Sequence, residues 1–316
     1  MAVSTATSNL NKSKVAAIQD YYMTHADGFY ERIFAQPQLA QMMGVTVKDK
    51  LLIRSADAVS GLQSYQAGHH LKGSVAFNGR TLQMRMVKDD KQFETRAFDV
   101  EDYDAYLNRT GNDPKQFPYQ AYVIEMILKA MYEDFEKNVK WGGVYLGPIV
   151  GAPNQSTDTV DGFIELIHDS IIAGEVAPYI TGLLSASNAY DKIVDFIEAM
   201  LEIPEMEAAD WALYTSLSAR RFLRKSYRDA HGADNDAKDS YGLELVPDYE
   251  KVRVIPQSGL SGSQMVLARP DNLYIGYDGA PFIEMRYESR MMYCEIDWKY
   301  GMQFASPTDL FVNEWL

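Results

Sequence analysis

The chain has one cysteine, Cys294, in 316 residues. That excludes an intrachain disulfide and a thiolate metal cluster. Positive charge is also short: 30 Lys and Arg against 44 Asp and Glu leave a formal charge of −14. Gripping nucleic acid means neutralising phosphates with Lys and Arg, so no such surface is expected here. Enclosing nucleic acid without gripping it stays open. No apolar run is long enough to span a bilayer, and the best candidate is interrupted by Glu125 and Lys129. The opening Met1-Ala-Val-Ser-Thr-Ala-Thr-Ser has neither the basic start nor the apolar core of a secretion signal.

Catalytic motifs are missing as well. His69 and His70 are adjacent, and adjacent side chains diverge on a strand or a helix, so they are a poor pair for one metal ion. His25, His168 and His231 are scattered. Gly259-Leu-Ser-Gly262 misses the nucleophile elbow by one position and lies between strands, where it reads as a turn. Trp141-Gly-Gly-Val-Tyr-Leu-Gly147 ends a helix instead of opening one, so it is no phosphate loop. No catalytic residue, cofactor or metal is expected. Sites without a linear signature exist, so this lowers the case for an enzyme without closing it.

What is present is ordinary globular material, 47% hydrophobic and 23% charged. The length suits one large domain or two modest ones. The most regular stretch runs from Met265 to Val312. Ile283, Met285 and Tyr287 alternate with Glu284, Arg286 and Glu288; Cys294, Ile296, Trp298 and Tyr300 alternate with Glu295, Asp297 and Lys299. Period two marks strands with one buried face. Short connections make an antiparallel meander of Leu273–Asp278 and the next two strands the expected arrangement, with Gly301 breaking the run. Cys294, on the apolar face, reads as a buried inert thiol.

Upstream, residues 1–13 are small and polar, an arm by composition, and a patchy helical stripe follows from Val15 to Phe34. Val75 and Phe77, then Leu82, Met84 and Met86, alternate with polar residues around Asn78-Gly79, which predicts a hairpin turn. Lys88-Asp-Asp-Lys91 reads as a second polar tip. A two-stranded ribbon alone is marginal in water, so it needs support from its own chain or another. The clearest helix carries Tyr119, Tyr122, Val123, Met126, Ile127, Ala130, Met131 and Phe135, stopping near Trp141-Gly142-Gly143. A helix capped by Ser156, Thr157 or Asp158 and ended by Gly174 follows, then one from Asn188 to Leu201. Trp211–Ser216 reads as a buried strand, and Ser216 and Ser218 as caps of an Arg-rich helix ending at His231-Gly232. The basic face of Arg220, Arg221, Arg224, Lys225 and Arg228 is either solvated and salt-bridged or a phosphate contact.

Leu267-Ala-Arg-Pro-Asp-Asn-Leu-Tyr-Ile-Gly-Tyr-Asp278, two charged strands and Lys-Tyr-Gly-Met-Gln-Phe304 resemble the C-terminal part of tailed-bacteriophage major capsid proteins. The likeness extends from about residue 65 to the end. It implies an α+β subunit with the tailed-phage capsid fold: a long spine helix, a peripheral antiparallel sheet, a central (axial) α/β domain, an extended loop and an N-terminal arm. The corresponding division is 1–38 arm and helix; 39–65, 99–146 and 279–300 peripheral domain; 66–98 extended loop; 147–278 and 301–316 central domain. The implied function is structural: a self-assembling homo-oligomer in a virion, forming hexamers and pentamers of an icosahedral shell around double-stranded DNA. Capsid subunits of this kind lay the extended loop over an adjacent subunit, which makes Arg80, Arg85, Lys88, Asp89, Asp90, Lys91 and Arg96 expected inter-subunit contacts, with Arg220, Arg221 and Arg224. The matched loop begins close to Met1, so no fused assembly segment is expected, and a separate scaffolding protein is, alongside portal and decoration partners. Assembly in the bacterial host cytoplasm, without a membrane, follows. Two alternatives stand: an encapsulin-type nanocompartment, which shares the fold, and a soluble enzyme without a recognisable motif.

Overall fold

The computed structural model describes residues 17–25, 42–59, 62–65, 68, 72–94, 119–148, 155–200, 209–232, 245–246, 249–288 and 291–314. In chain order the elements are α1 (17–25), β1 (Met43–Thr46), β2 (Lys50–Val59), β3 (Ser74–Gln83), β4 (Arg85–Glu94), α2 (Tyr119–Asp134), α3 (Phe163–Ile172), α4 (Ala189–Met200), β5 (Trp211–Ser216), α5 (Leu217–His231), β6 (Leu245–Val246), β7 (Tyr249–Gln257), β8 (Met265–Ala268), β9 (Leu273–Tyr277), β10 (Phe282–Glu288), β11 (Met291–Phe304) and β12 (Leu310–Val312). They form two compact units: one of residues 1–40, 85–135 and 277–300, the other of 41–84, 136–276 and 301–316.

In the first unit β11 is the central strand, antiparallel to β10 on one side and β4 on the other. Met285 and Lys91 both lie opposite Cys294. The period-two pattern holds: Ile283, Met285, Met292, Cys294, Ile296, Trp298 and Tyr300 are all buried. The stripe of α2 buries Val123, Ile124, Ile127, Leu128 and Tyr132. Phe135, which follows it, packs edge-on against Trp298 and Tyr300, with ring centroids 6.0 and 5.0 Å away. The Tyr22 hydroxyl of α1 donates to the Pro281 carbonyl.

The second unit is built on a sheet in the order β12-β8-β5-β7-β6. Every residue of β5 is buried. It runs parallel to β7 and antiparallel to β8, and α5 lies in the connection from β5 towards β7, as parallel strands require. Ser216 ends β5 and caps α5, its Oγ accepting from Ala219 N at 3.0 Å. Ile193, Phe196 and Ile197 of α4 and Ala219 and Leu223 of α5 join Leu213, Val254 and Leu267 in one core. The chain enters this unit through a π-helical turn, Phe135–Val139, and a last helical turn, Lys140–Gly142.

Five sequence expectations need correction. Asn78-Gly79 makes no turn: β3 runs straight through it, and its partner is β2, with Ser55 opposite Asn78 and Arg54 opposite Gly79. Ten residues of pairing with β2 outweigh a local turn preference. Lys88–Lys91 is no tip either, but the middle of β4, opposite Cys294 to Asp297. The meander fails for β9, whose neighbours are β1 and β11, not β10; β11, fourteen residues long, extends past β10. Gly301 lies inside β11 and does not end it. Ser156–Asp158 forms a 3-10 turn, and the residue preceding α3 is Gly162.

Candidate inter-subunit surface

The pairing of β2 with β3 makes a two-stranded ribbon, joined by no third strand among the described residues. Its base is well supported. Ile53 and Leu82 on the inner face, with Val47 and Met84, form a small core against which Tyr274 and Ala305 pack. The Gln303 side chain donates to Thr81 O at 3.3 Å. Away from the base, apolar side chains meet water. Leu62 and Tyr65, in the connection between the strands, are 87% and 95% exposed, and Val75 is 60% exposed. A monomer gains nothing from holding these groups in solvent.

The charged residues expected at contacts are scattered, and their surroundings differ. Arg80, on the inner face of β3, ion-pairs with Glu175, donates to Ser170 Oγ at 3.2 Å and covers the Phe304 ring at 4.1 Å. It is engaged within its own chain. Arg85 is half-buried at the start of β4, opposite Tyr300. Successive residues of β4 point to opposite faces. Lys88 and Asp90 therefore share the wet face, where they pair; the hydrogen bond to Asp90 holds the Lys88 ammonium above its usual range. Asp89 and Lys91 pair on the half-buried face, in the rows of Ile296 and Cys294. The register sets three carboxylates in one row, Glu284, Glu295 and Asp90. Lys88 beside Asp90, and Arg286, 2.7 Å from Glu295, relieve their repulsion. On α5, Arg221 is exposed, while Arg220 and Arg224 are half-buried and engaged. Arg96 lies outside the described residues.

A second exposed apolar surface carries no motif in the sequence. Ile180 and Leu183 are each 82% exposed, on a segment held by the chain's end. The Glu314 carboxylate accepts from Thr181 N and Gly182 N at 2.5 and 2.6 Å. Asn313 Nδ2 donates to Thr181 Oγ1 and Ser263 O at 3.1 and 2.7 Å. In sequence Ile180 and Leu183 fall in a turn-rich connection from Pro178 to Ser187, where nothing local tells an exposed large apolar residue from a covered one.

Among the described residues no group of three or more metal-ligating side chains occurs, and no helix is long and apolar enough to cross a membrane. Burial raises the Cys294 thiol to about 12, the opposite of what a nucleophile needs.

No protein-family profile and no curated protein matches the sequence. Solved structures do match. A subunit of the satellite phage P4 procapsid, solved with its size-determination protein, is 11% identical and superposes with a TM-score of 0.58 over 91% of this chain and 89% of its own. The capsid of a native GTA particle is 15% identical with a TM-score of 0.51, covering 87% of this chain and 89% of the other.

This chain has the tailed-phage capsid fold.

At such identities most side chains differ, so the capsid fold rests on which positions are buried and at what period. The exposed apolar groups of this capsid-fold chain include Leu62, Tyr65, Ile180 and Leu183.

Proposed function

We propose that the chain is the structural subunit of an icosahedral virus capsid, and that its work is assembly without catalysis. Copies form hexamers and pentamers that close a shell around double-stranded DNA. The observation that carries this reading is the ribbon: two ten-residue strands with no third strand among the described residues, and apolar groups in water beyond a supported base. Such an arm gains its missing burial on a sister molecule. The capsid fold over nine-tenths of the chain supports the same reading. Many modest contacts hold a lattice subunit more firmly than any one of them, so no single strong interface is required.

The charge of −14 suits the role. An acidic subunit does not trap the DNA that must later leave. On this reading the helix 119–142 is the spine, β4, β10 and β11 belong to the peripheral domain, and the sheet centred on β5 is the central domain. Lys88, Asp90 and Arg221 are contacts to neighbouring subunits, together with Arg96. Partners are a separate scaffolding protein, a portal and decoration proteins, with assembly in the host cytoplasm.

The test is electron microscopy of the full chain expressed with its neighbouring phage genes, followed by nuclease treatment. Closed particles holding nuclease-protected DNA are expected. Particles with protein cargo and no DNA would instead mark a nanocompartment shell. A chain that stays monomeric by light scattering at high concentration, alone and with scaffold, would end the shell reading.

A further inference from the structure

Arg80 sits where the supported base of the ribbon gives way to its uncovered part. On β3 it is the next inner-face residue beyond Leu82, and it lies opposite Ile53 of β2. Its guanidinium makes three different contacts with two parts of the same unit, the end of β11 and the C-terminal end of α3. It stacks over Phe304, the fully buried last residue of β11. It donates to Ser170 Oγ on α3, a residue 2% exposed. It ion-pairs with Glu175, just past the end of that helix. Glu175 also ties to α3 through its backbone, its N–H donating to Ser170 O at 2.9 Å.

We propose that Arg80 is a positioning residue that fixes the direction in which the ribbon leaves the body, so that the arm meets a second copy already aimed. This rests on the shell reading above. A planar guanidinium can satisfy a ring face and two oxygen acceptors together, which a lysine ammonium cannot do with the same geometry. Beside the single bond from the Gln303 side chain to Thr81 O, Arg80 ties the ribbon to the body by three contacts, so this fork at the base limits its swing. Pre-aiming removes the ordering cost that a freely swinging arm would bring to every subunit contact. The same side chain thus acts on contacts between copies without belonging to one.

The test uses the full chain with Arg80→Ala, Arg80→Lys, Arg80→Glu, Glu175→Arg and the double exchange Arg80→Glu with Glu175→Arg. The first readout is amide hydrogen exchange on unassembled protein, which does not depend on the shell reading. Arg80→Ala is expected to speed exchange in β2 and β3 by about tenfold while leaving β5 and β8 unchanged. Arg80→Lys falls between Arg80→Ala and the native chain. The double exchange recovers most of the protection that either single reversal loses. The second readout is the yield of closed particles, which falls with ribbon protection across the series and recovers with the double exchange. Unchanged exchange in Arg80→Ala overturns the proposal. So does a uniform rise that includes β5, because that marks a general loss of packing. If the native chain forms no particles, the shell reading fails while the exchange result still decides whether Arg80 holds the ribbon. If particles form and their yield ignores the ribbon's protection, the positioning role fails alone.

Discussion

A Cβ added to Gly301 would lie 2.3 Å from the carbonyl oxygen of Gln83. The two backbones meet where β11 passes the end of β3, and only a residue without a side chain fits between them. The oxygen belongs to the main chain of a paired strand, so it cannot swing aside as a side chain would.

Gly301→Ala is therefore expected to destabilise the fold by about 1–3 kcal/mol, the range for forcing extra volume into a closed contact. Thermal unfolding checks this, and an unchanged midpoint would contradict the geometry. Alanine at Gly174, where nothing lies within 4 Å, meets no such clash; its cost comes only from a φ of 75°.

Lys140 and Glu136 form an ion pair one helical turn apart, with the lysine side chain wholly buried. Burial drives the Lys140 pKa down against the opposing pull of Glu136. Glu136 Oε1 has no hydrogen-bond partner among the described residues. Lys140→Met alone leaves a buried carboxylate without its cation and is expected to cost roughly 3–5 kcal/mol. Glu136→Leu with Lys140→Met removes both charges and is expected to be neutral, or stabilising by up to about 4 kcal/mol. Urea unfolding of the two variants measures the difference, and a double variant as unstable as the single one would contradict it.

Cys294 is fully buried, and its thiol is pushed from 9.0 up to about 12, chiefly by burial. The folded chain is expected not to react with a thiol reagent at pH 8, while the unfolded chain reacts at once. Between pH 9 and 12 the unfolded thiol has lost its proton and the folded one keeps it, so stability falls as pH rises through that window. Cys294→Val removes the part of this slope that the thiol contributes, while the part from the Tyr214 hydroxyl, also raised by burial, remains. A native chain labelled as fast as the denatured one would refute the burial argument.

Leu62→Ser with Tyr65→Ser changes two side chains that are largely exposed in the monomer. The unfolding free energy of unassembled protein is expected to stay within about 0.5 kcal/mol of native, as for ordinary surface changes. Closed particles are expected to fall by about tenfold or more, since one lost apolar anchor repeats at every copy. Equal yields by electron microscopy would show that the connection between β2 and β3 contacts no neighbour.

Local patterns carried much of the architecture. The stripe from Tyr122 to Phe135, the alternation through Ile283 and Cys294, and the Ser216 cap before an Arg-rich helix are short-range features, and each appears where the pattern puts it. The ribbon was read less well. Asn78-Gly79 is a strong turn signal by itself, yet β3 passes through it because a ten-residue partner, β2, lies in a stretch with no clear period. Arg80 looked like one more exposed charge until Phe304, Ser170 and Glu175 closed around it from positions at least ninety residues away.

The amino-acid sequence by itself determined the absence of disulfide and thiolate chemistry, the acidic charge, the periods of the main helices and strands, and the likeness to capsid subunits. These follow from residue identity and spacing within a few turns or pleats. Only the tertiary structure decided which strands pair, why Gly301 must be glycine, that Lys140 is buried against Glu136, and which apolar groups stay in water. Those depend on segments far apart along the chain, and period and propensity hold no information about which distant segment a given face will meet.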